Sequence, residues 1–287
     1  MKSNLLVDTH WLEKNLNNDD IKIFDCTAHI RADPTSGIRF ESGHDSYLEK
    51  HILGAGFLDV LKELSDTTSD LEITLPSKEQ FSEAVSLKGI SNDSIVVLYS
   101  TEEVQWATRV WWMFKIFGFD NVKLLDGGGQ KWFSEGRPTS DVGTFYKPTF
   151  FTSELKSELI VTKNEVFAAI ENNDTCIINS LSNPMFSGKS PLHFGRKGHI
   201  PSSVNLWFMD LINKETHEFL PLDEIKKQFD FVGVFDKPKC ITYCGKGLAA
   251  SANTFALSLL GHNHVSLYDG SMSEWAQDLS LPLVESE

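Results

Sequence analysis

The feature that most limits what this chain can fold into is that it says nearly the same thing twice. Ser94-Ile95-Val96-Val97-Leu98-Tyr99 is a short apolar run. A polar turn follows, then a 3.6-residue apolar period through Ala107, Val110, Trp111 and Phe114 that stops at Gly118. Next come Val122-Lys123-Leu124-Leu125-Asp126-Gly127-Gly128 and Trp132. The same order returns as Cys240-Ile241-Thr242-Tyr243, a turn, a helical period through Ala252, Phe255, Ala256, Leu259 and Leu260 closed by Gly261, then Val265-Ser266-Leu267-Tyr268-Asp269-Gly270-Ser271 and Trp275. Asp126 and Asp269 lie 143 residues apart, as do Trp132 and Trp275. Earlier segments match as well: Ile21–Asp25 with Cys176–Asn179, and His51-Ile52-Leu53-Gly54-Ala55 with His199-Ile200-Pro201-Ser202-Ser203. Ordered recurrence at one spacing implies a duplicated unit. Short apolar strands alternating with helices predict an α/β fold: two similar domains, each a mostly parallel sheet flanked by helices.

The 287-residue length suits two such domains better than one. The polar stretch from Pro138 to Glu158 has little helical period. It places the break near residue 150, giving domains 1–150 and 151–287. No apolar run reaches the roughly 18–20 residues of a membrane span, and the first residues lack the apolar stretch of a secretory leader. A cytoplasmic protein without membrane attachment is expected. The net charge of −14 disfavours nucleic-acid binding. Four scattered cysteines form neither a disulfide framework nor a zinc cluster, so no metal is expected.

The two copies differ most at the strand-to-helix turn, where parallel α/β sheets place their sites. In the second copy the turn is Cys244-Gly245-Lys246-Gly247-Leu248-Ala249-Ala250. Two glycines permit a tight curl, so several N–H groups and the positive end of the following helix can converge on one atom. A thiol there is expected to ionise readily, with Lys246 adding to the effect, and to act as a nucleophile. The first copy has Ser100-Thr101-Glu102-Glu103-Val104 in this place: no thiol, no glycine, two acids. It reads as catalytically silent. Cys26, Cys176 and Cys240 sit inside apolar runs and read as buried hydrophobes.

Charge around the turn supports an anion site. From Cys244 to His264 there is no Asp or Glu, and none from Asn183 to Met209, where Lys189, Arg196 and Lys197 occur. The anion is not a phosphate ester held by a Cys-x5-Arg loop. The residue six after Cys244 is Ala250, and no arginine follows Cys244 at all. No GxxxxGK[ST] motif is present, and Gly127-Gly128-Gly129 reads as a turn. A small anion such as a persulfide sulfur fits the loop better.

These residues together resemble the tandem-domain rhodanese-type sulfurtransferases, over nearly the whole chain. The resemblance is carried by Tyr47–Ala55, Gly198-His199-Ile200-Pro201, Arg109–Phe114, Leu124–Gly128, Tyr268–Ser271 with Glu274-Trp275, and above all the Cys-Gly-Lys-Gly loop. It implies an inactive N-terminal domain and a catalytic C-terminal one. Cys244 would take sulfur from a small anionic donor such as thiosulfate, and cyanide or a thiol would accept it, with no cofactor. Gly245, Lys246, Gly247, Leu248, Ala249, Ala250 and Arg196 would bind substrate. Two alternatives accompany this reading: a 3-mercaptopyruvate sulfurtransferase, and a persulfide carrier or protein-binding module fed by a partner enzyme. Fusion of two domains in one chain is consistent with a monomer. The chain departs from the family at Met185, where an arginine is usual, and at Asn179, where an aspartate is usual. Both departures imply a weaker clamp on the donor. His51 and His199 occupy equivalent places and read as structural.

Overall fold

The computed structural model describes residues 4–34 and 37–286. Among these, the chain divides into two compact units. The first takes the residues up to Thr68, Leu75–Lys156 and Lys214–Glu218; the second takes Ser69–Thr74, Ser157–Asn213 and the residues from Phe219 onward. Two segments, Ser69–Thr74 and Lys214–Glu218, thus cross a simple linear division.

Each unit is built on a five-stranded parallel sheet, and the strand order is the same in both. In the first unit the strands are β1 (Leu6–Val7), β2 (Ile21–Asp25), β3 (Gly56–Phe57), β4 (Ile95–Tyr99) and β5 (Val122–Leu125), ordered β1-β5-β4-β2-β3. In the second they are β6 (Ile160–Val161), β7 (Thr175–Asn179), β8 (Val204–Asn205), β9 (Lys239–Tyr243) and β10 (Val265–Tyr268), ordered β6-β10-β9-β7-β8. The expected two-copy α/β architecture is therefore present.

The sheets are parallel because helices return the chain across their faces. In the first unit, helix α1 (Gln105–Ile116) packs on β4 and β5, and α2 (Gly128–Ser134) follows β5. In the second, α3 (Lys163–Ala169) packs on β7, α4 (Leu248–Leu259) on β9 and β10, and α5 (Ser271–Trp275) against α3. Alternation along β9 explains how both faces are covered. Ile241 and Tyr243 join a core with Val166, Tyr268, Met272 and Trp275. Thr242 points the other way, where its hydroxyl meets that of Thr254 on α4 at 2.8 Å. Helix α4 is apolar nearly all round and correspondingly buried. It ends where the sequence stops it: Gly261 takes φ +76°, as Gly118 takes φ +82° beyond α1.

The tryptophans at the matching positions do the same job in each unit. Trp132 Nε1 donates to Pro138 O at 2.9 Å, and Trp275 Nε1 donates to Pro282 O at 2.8 Å. The histidines match likewise. His51 Nδ1 lies 2.6 Å from Tyr47 O with its ring stacked on Tyr47, and His199 Nδ1 lies 2.9 Å from Phe186 O with its ring stacked on Phe186. Burial pushes the pKa of His199 down. The glycine triplet departs from the sequence reading: Gly127 is a turn residue at φ +82°, but Gly128 and Gly129 already belong to α2. Among the described residues, no helix is long and apolar enough to cross a membrane.

Candidate active site

Cys244 is the first residue beyond β9, and α4 begins four residues later. The two loop glycines serve different needs. Gly247 stands at the N-cap of α4 with φ +71°, which a side chain would strain. Gly245 is required for space: a Cβ there would lie 2.0 Å from Phe194 Cζ, so the Phe194 ring sits directly on the loop. The carbonyls of the first two loop residues are tied to α5. Met272 N donates to Cys244 O at 3.1 Å and Ser273 N to Gly245 O at 2.9 Å.

The underside of the loop is pinned by Ser271. Its hydroxyl oxygen accepts from Cys244 N at 3.0 Å and from Gly247 N at 3.1 Å, and its proton goes to Tyr268 O at 2.8 Å. Ser271 is fully buried and adopts φ +48°, unfavourable for a residue with a side chain. The first unit has Gly128 in this place at φ +58°, and a Cβ there would meet Ser100 O at 2.6 Å. Ser271 belongs to the Tyr268–Ser271 segment that matches the first copy, and only the fold places its hydroxyl beneath the loop. The serine-for-glycine difference between Asp269-Gly270-Ser271 and Asp126-Gly127-Gly128 was the available signal.

The loop's N–H groups do converge on sulfur. Those of Ala250, Lys246 and Ala249 favour the thiolate of Cys244. Burial opposes them and is the larger effect, because the side chain is shut away from water. The pKa of the thiol is raised rather than lowered. The expectation of a readily ionised resting thiol is thereby corrected: the loop supplies the donors, and desolvation outweighs them. Gly245, Gly247 and Leu248 form the turn and the first residue of α4, and Ala249 and Ala250 lie in its first turn.

The two basic residues each have partners of their own. What Lys246 contributes to the sulfur is its backbone N–H. Its ammonium forms an ion pair with Glu72, from the Ser69–Thr74 segment of the same unit. Arg196 is committed to backbone carbonyls. Its Nε donates to Ala276 O at 3.1 Å, and its Nη2 to Trp275 O at 3.3 Å and Asp278 O at 2.8 Å. The guanidinium thus caps the end of α5. Arg196 nevertheless borders a small recess that also includes Leu181, Met185, Phe194, Lys197 and Met272. Met185 gives that recess an apolar side chain. Cys26, Cys176 and Cys240 are free and buried.

The equivalent turn of the first unit is one residue longer, Ser100 to Val104 between β4 and α1. Its groups bond to residues that follow β2. Thr101 N donates to Thr27 Oγ1 at 2.9 Å, and Glu102 lies 2.8 Å from His29 Nδ1. The second unit's fold and its thiol loop are therefore repeated in the first without the thiol.

Comparison with known proteins decides the family. The rhodanese-like domain signature matches residues 8–135 and 171–278. The chain belongs to the rhodanese family. It is 33% identical over 279 residues to thiosulfate sulfurtransferase of Mus musculus, covering 94% of this chain and 91% of the mouse protein. It is 32% identical over 304 residues to thiosulfate/3-mercaptopyruvate sulfurtransferase 2 of Arabidopsis thaliana, covering 98% and 86%. Among solved structures, the rhodanese-fold 3-mercaptopyruvate sulfotransferase SseA from Escherichia coli superposes with a TM-score of 0.81 at 29% identity, covering 93% of this chain and 98% of SseA.

Proposed function

We propose that this rhodanese is a sulfurtransferase that carries sulfane sulfur as a persulfide on Cys244. The observation that carries the reading is the convergence of the Lys246, Ala249 and Ala250 N–H groups on the Cys244 sulfur at the N-terminus of α4. Preorganised donors of this kind suit a group that gains negative charge as it reacts.

With thiosulfate, the Cys244 thiolate attacks the outer sulfur. A new S–S bond forms, the bond between the two thiosulfate sulfurs breaks, and sulfite departs with the electron pair. The terminal persulfide sulfur then lies within reach of the loop N–H groups. Cyanide or a thiol attacks that sulfur, the S–S bond to Cys244 breaks, and the thiolate is restored. Product is thiocyanate or the acceptor's persulfide. The cycle has two halves and a covalent intermediate, so ping-pong kinetics are expected. No step draws on a cofactor or metal. Ser100, in the equivalent turn of the first unit, offers no such nucleophile, and that domain is read as catalytically inactive.

A second donor, 3-mercaptopyruvate, is supported by the compact glycine at position 245 and by the similarity to the Arabidopsis protein and to SseA.

Intact-mass measurement after brief exposure to each donor tests the proposal. A gain of one sulfur, reversed by cyanide and absent in Cys244→Ser, is the expected result and ranks the donors. No gain with either donor overturns the enzyme reading and favours a persulfide relay fed by a partner protein.

A further inference from the structure

The stretch from Cys244 to His264 contains no Asp or Glu, yet the loop does not lack a carboxylate. Glu72, 174 residues away in sequence, accepts a hydrogen bond from Lys246 Nζ. It belongs to the short Ser69–Thr74 segment that packs with the second unit. The two side chains are unequally placed: that of Lys246 is 18% exposed and that of Glu72 is 62% exposed. The next residue fixes the segment. Ile73 is 4% exposed and takes φ +62°, an uncommon conformation for a β-branched residue. A buried anchor thus carries a carboxylate to the ammonium beside the cysteine loop.

This changes which anions the site favours. A lone ammonium attracts a doubly charged anion twice as strongly as a singly charged one at the same distance. An ammonium paired with a carboxylate presents little net charge, and the doubly charged anion loses most. To reach a donor, the Lys246 ammonium must leave Glu72 or be shared with it.

We propose that Glu72 is a specificity-determining residue: by pairing with Lys246 it shifts the preference of the Cys244 site from doubly to singly charged sulfur donors. The inference rests on the sulfurtransferase reading and deepens it, assigning a charge class to the donor.

The test uses the full chain as wild type, Glu72→Gln and Lys246→Gln. Cys244 is alkylated with iodoacetate and, separately, with the neutral iodoacetamide, and the modified peptide is quantified. The ratio of the two rate constants reports the local field without requiring sulfur transfer. In Glu72→Gln the ratio rises about three- to tenfold, in Lys246→Gln it falls, and both differences shrink at about 0.5 M salt. In the same variants, kcat/KM for thiosulfate relative to 3-mercaptopyruvate moves in the same directions. A ratio that is unchanged or lowered in Glu72→Gln overturns the proposal, and a lowered one would mean that Glu72 positions Lys246 for anions. A Cys244 that neither reagent reaches also overturns it. If the alkylation ratio shifts as expected but no donor yields a persulfide, the sulfurtransferase reading fails while the charge role of Glu72 stands.

Discussion

The hydroxyl oxygen of Ser271 accepts hydrogen bonds from the backbone N–H groups of both Cys244 and Gly247, closing the loop from below. Neither amide has water to fall back on, because all three residues are buried. Ser271→Ala leaves two buried donors without their acceptor. It should destabilise the second unit by about 1–3 kcal/mol and speed alkylation of Cys244, because a loosened loop lets water and reagent reach the buried sulfur. Urea denaturation and iodoacetamide kinetics measure the two effects. Unchanged values for both would remove Ser271 from the loop's support.

Gly245 and Phe194 form a second constraint on the same loop. Gly245→Ala places a methyl group inside the Phe194 ring, and the ring or the loop must move. A loss of about 1–3 kcal/mol is expected for such overpacking. Phe194→Ala in the same chain should recover part of it, because the clash is removed. A double-mutant cycle by thermal or urea unfolding gives the coupling energy. Strictly additive losses would mean that the ring does not set the need for glycine.

The raised pKa of Cys244 predicts a particular pH profile. Burial holds the thiol protonated beyond its ordinary value of 9.0, so the thiolate fraction of the resting protein is still rising there. The rate of iodoacetamide attack on Cys244 should climb with pH through neutrality and past that value, without an early plateau. A plateau near neutrality would mean that the loop N–H groups outweigh burial after all.

Asp25 and Asn179 end equivalent strands and offer a stability test. Asp25 Oδ1 accepts from Thr27 N at 2.8 Å, and Asn179 Oδ1 accepts from Leu181 N at 2.9 Å. Burial raises the pKa of Asp25 from 3.8 to about 6, against the opposing hydrogen bonds from Thr27. The folded state therefore binds the proton more tightly than the unfolded state. Stability falls as pH rises from about 4 to about 6 and then levels off. Asp25→Asn copies the other unit and removes that dependence. Relative to wild type, the variant should gain with pH over this window, by at most about 3 kcal/mol above it. Urea midpoints at pH 4 and pH 7 supply the comparison, and an equal difference at both would refute the ionisation argument.

Arg196 separates a structural role from a donor-binding one. Its guanidinium holds three carbonyls at the end of α5. Arg196→Ala should cost about 1–3 kcal/mol of stability and change KM for thiosulfate less than Lys246→Ala does. A large rise in KM with intact stability would restore Arg196 to the donor's binding groups.

Much of the fold was legible because its cause is local and repeated. Apolar runs, helical periods and stop glycines recur in the same order, and each marks an element without reference to distant residues. The silent and thiol-bearing turns could likewise be told apart from composition alone, Ser100–Val104 against Cys244–Ala250. The ionisation of Cys244 was not legible. The N–H donors belong to the loop and follow from its glycines, but the desolvation that outweighs them depends on how fully the fold closes around the sulfur.

The sequence by itself determined the duplication, the alternation of strand and helix, and the single cysteine set between a strand and a helix N-terminus. The tertiary structure decided what surrounds that cysteine. It brought Glu72 to Lys246, turned Arg196 toward the carbonyls of α5, laid Phe194 on Gly245 and put the Ser271 hydroxyl beneath the loop. The reason is physical: hydrogen-bond donors carried on a loop's own backbone are set by local conformation. Partners that arrive from elsewhere in the chain, and the exclusion of water they bring about, are set only by packing.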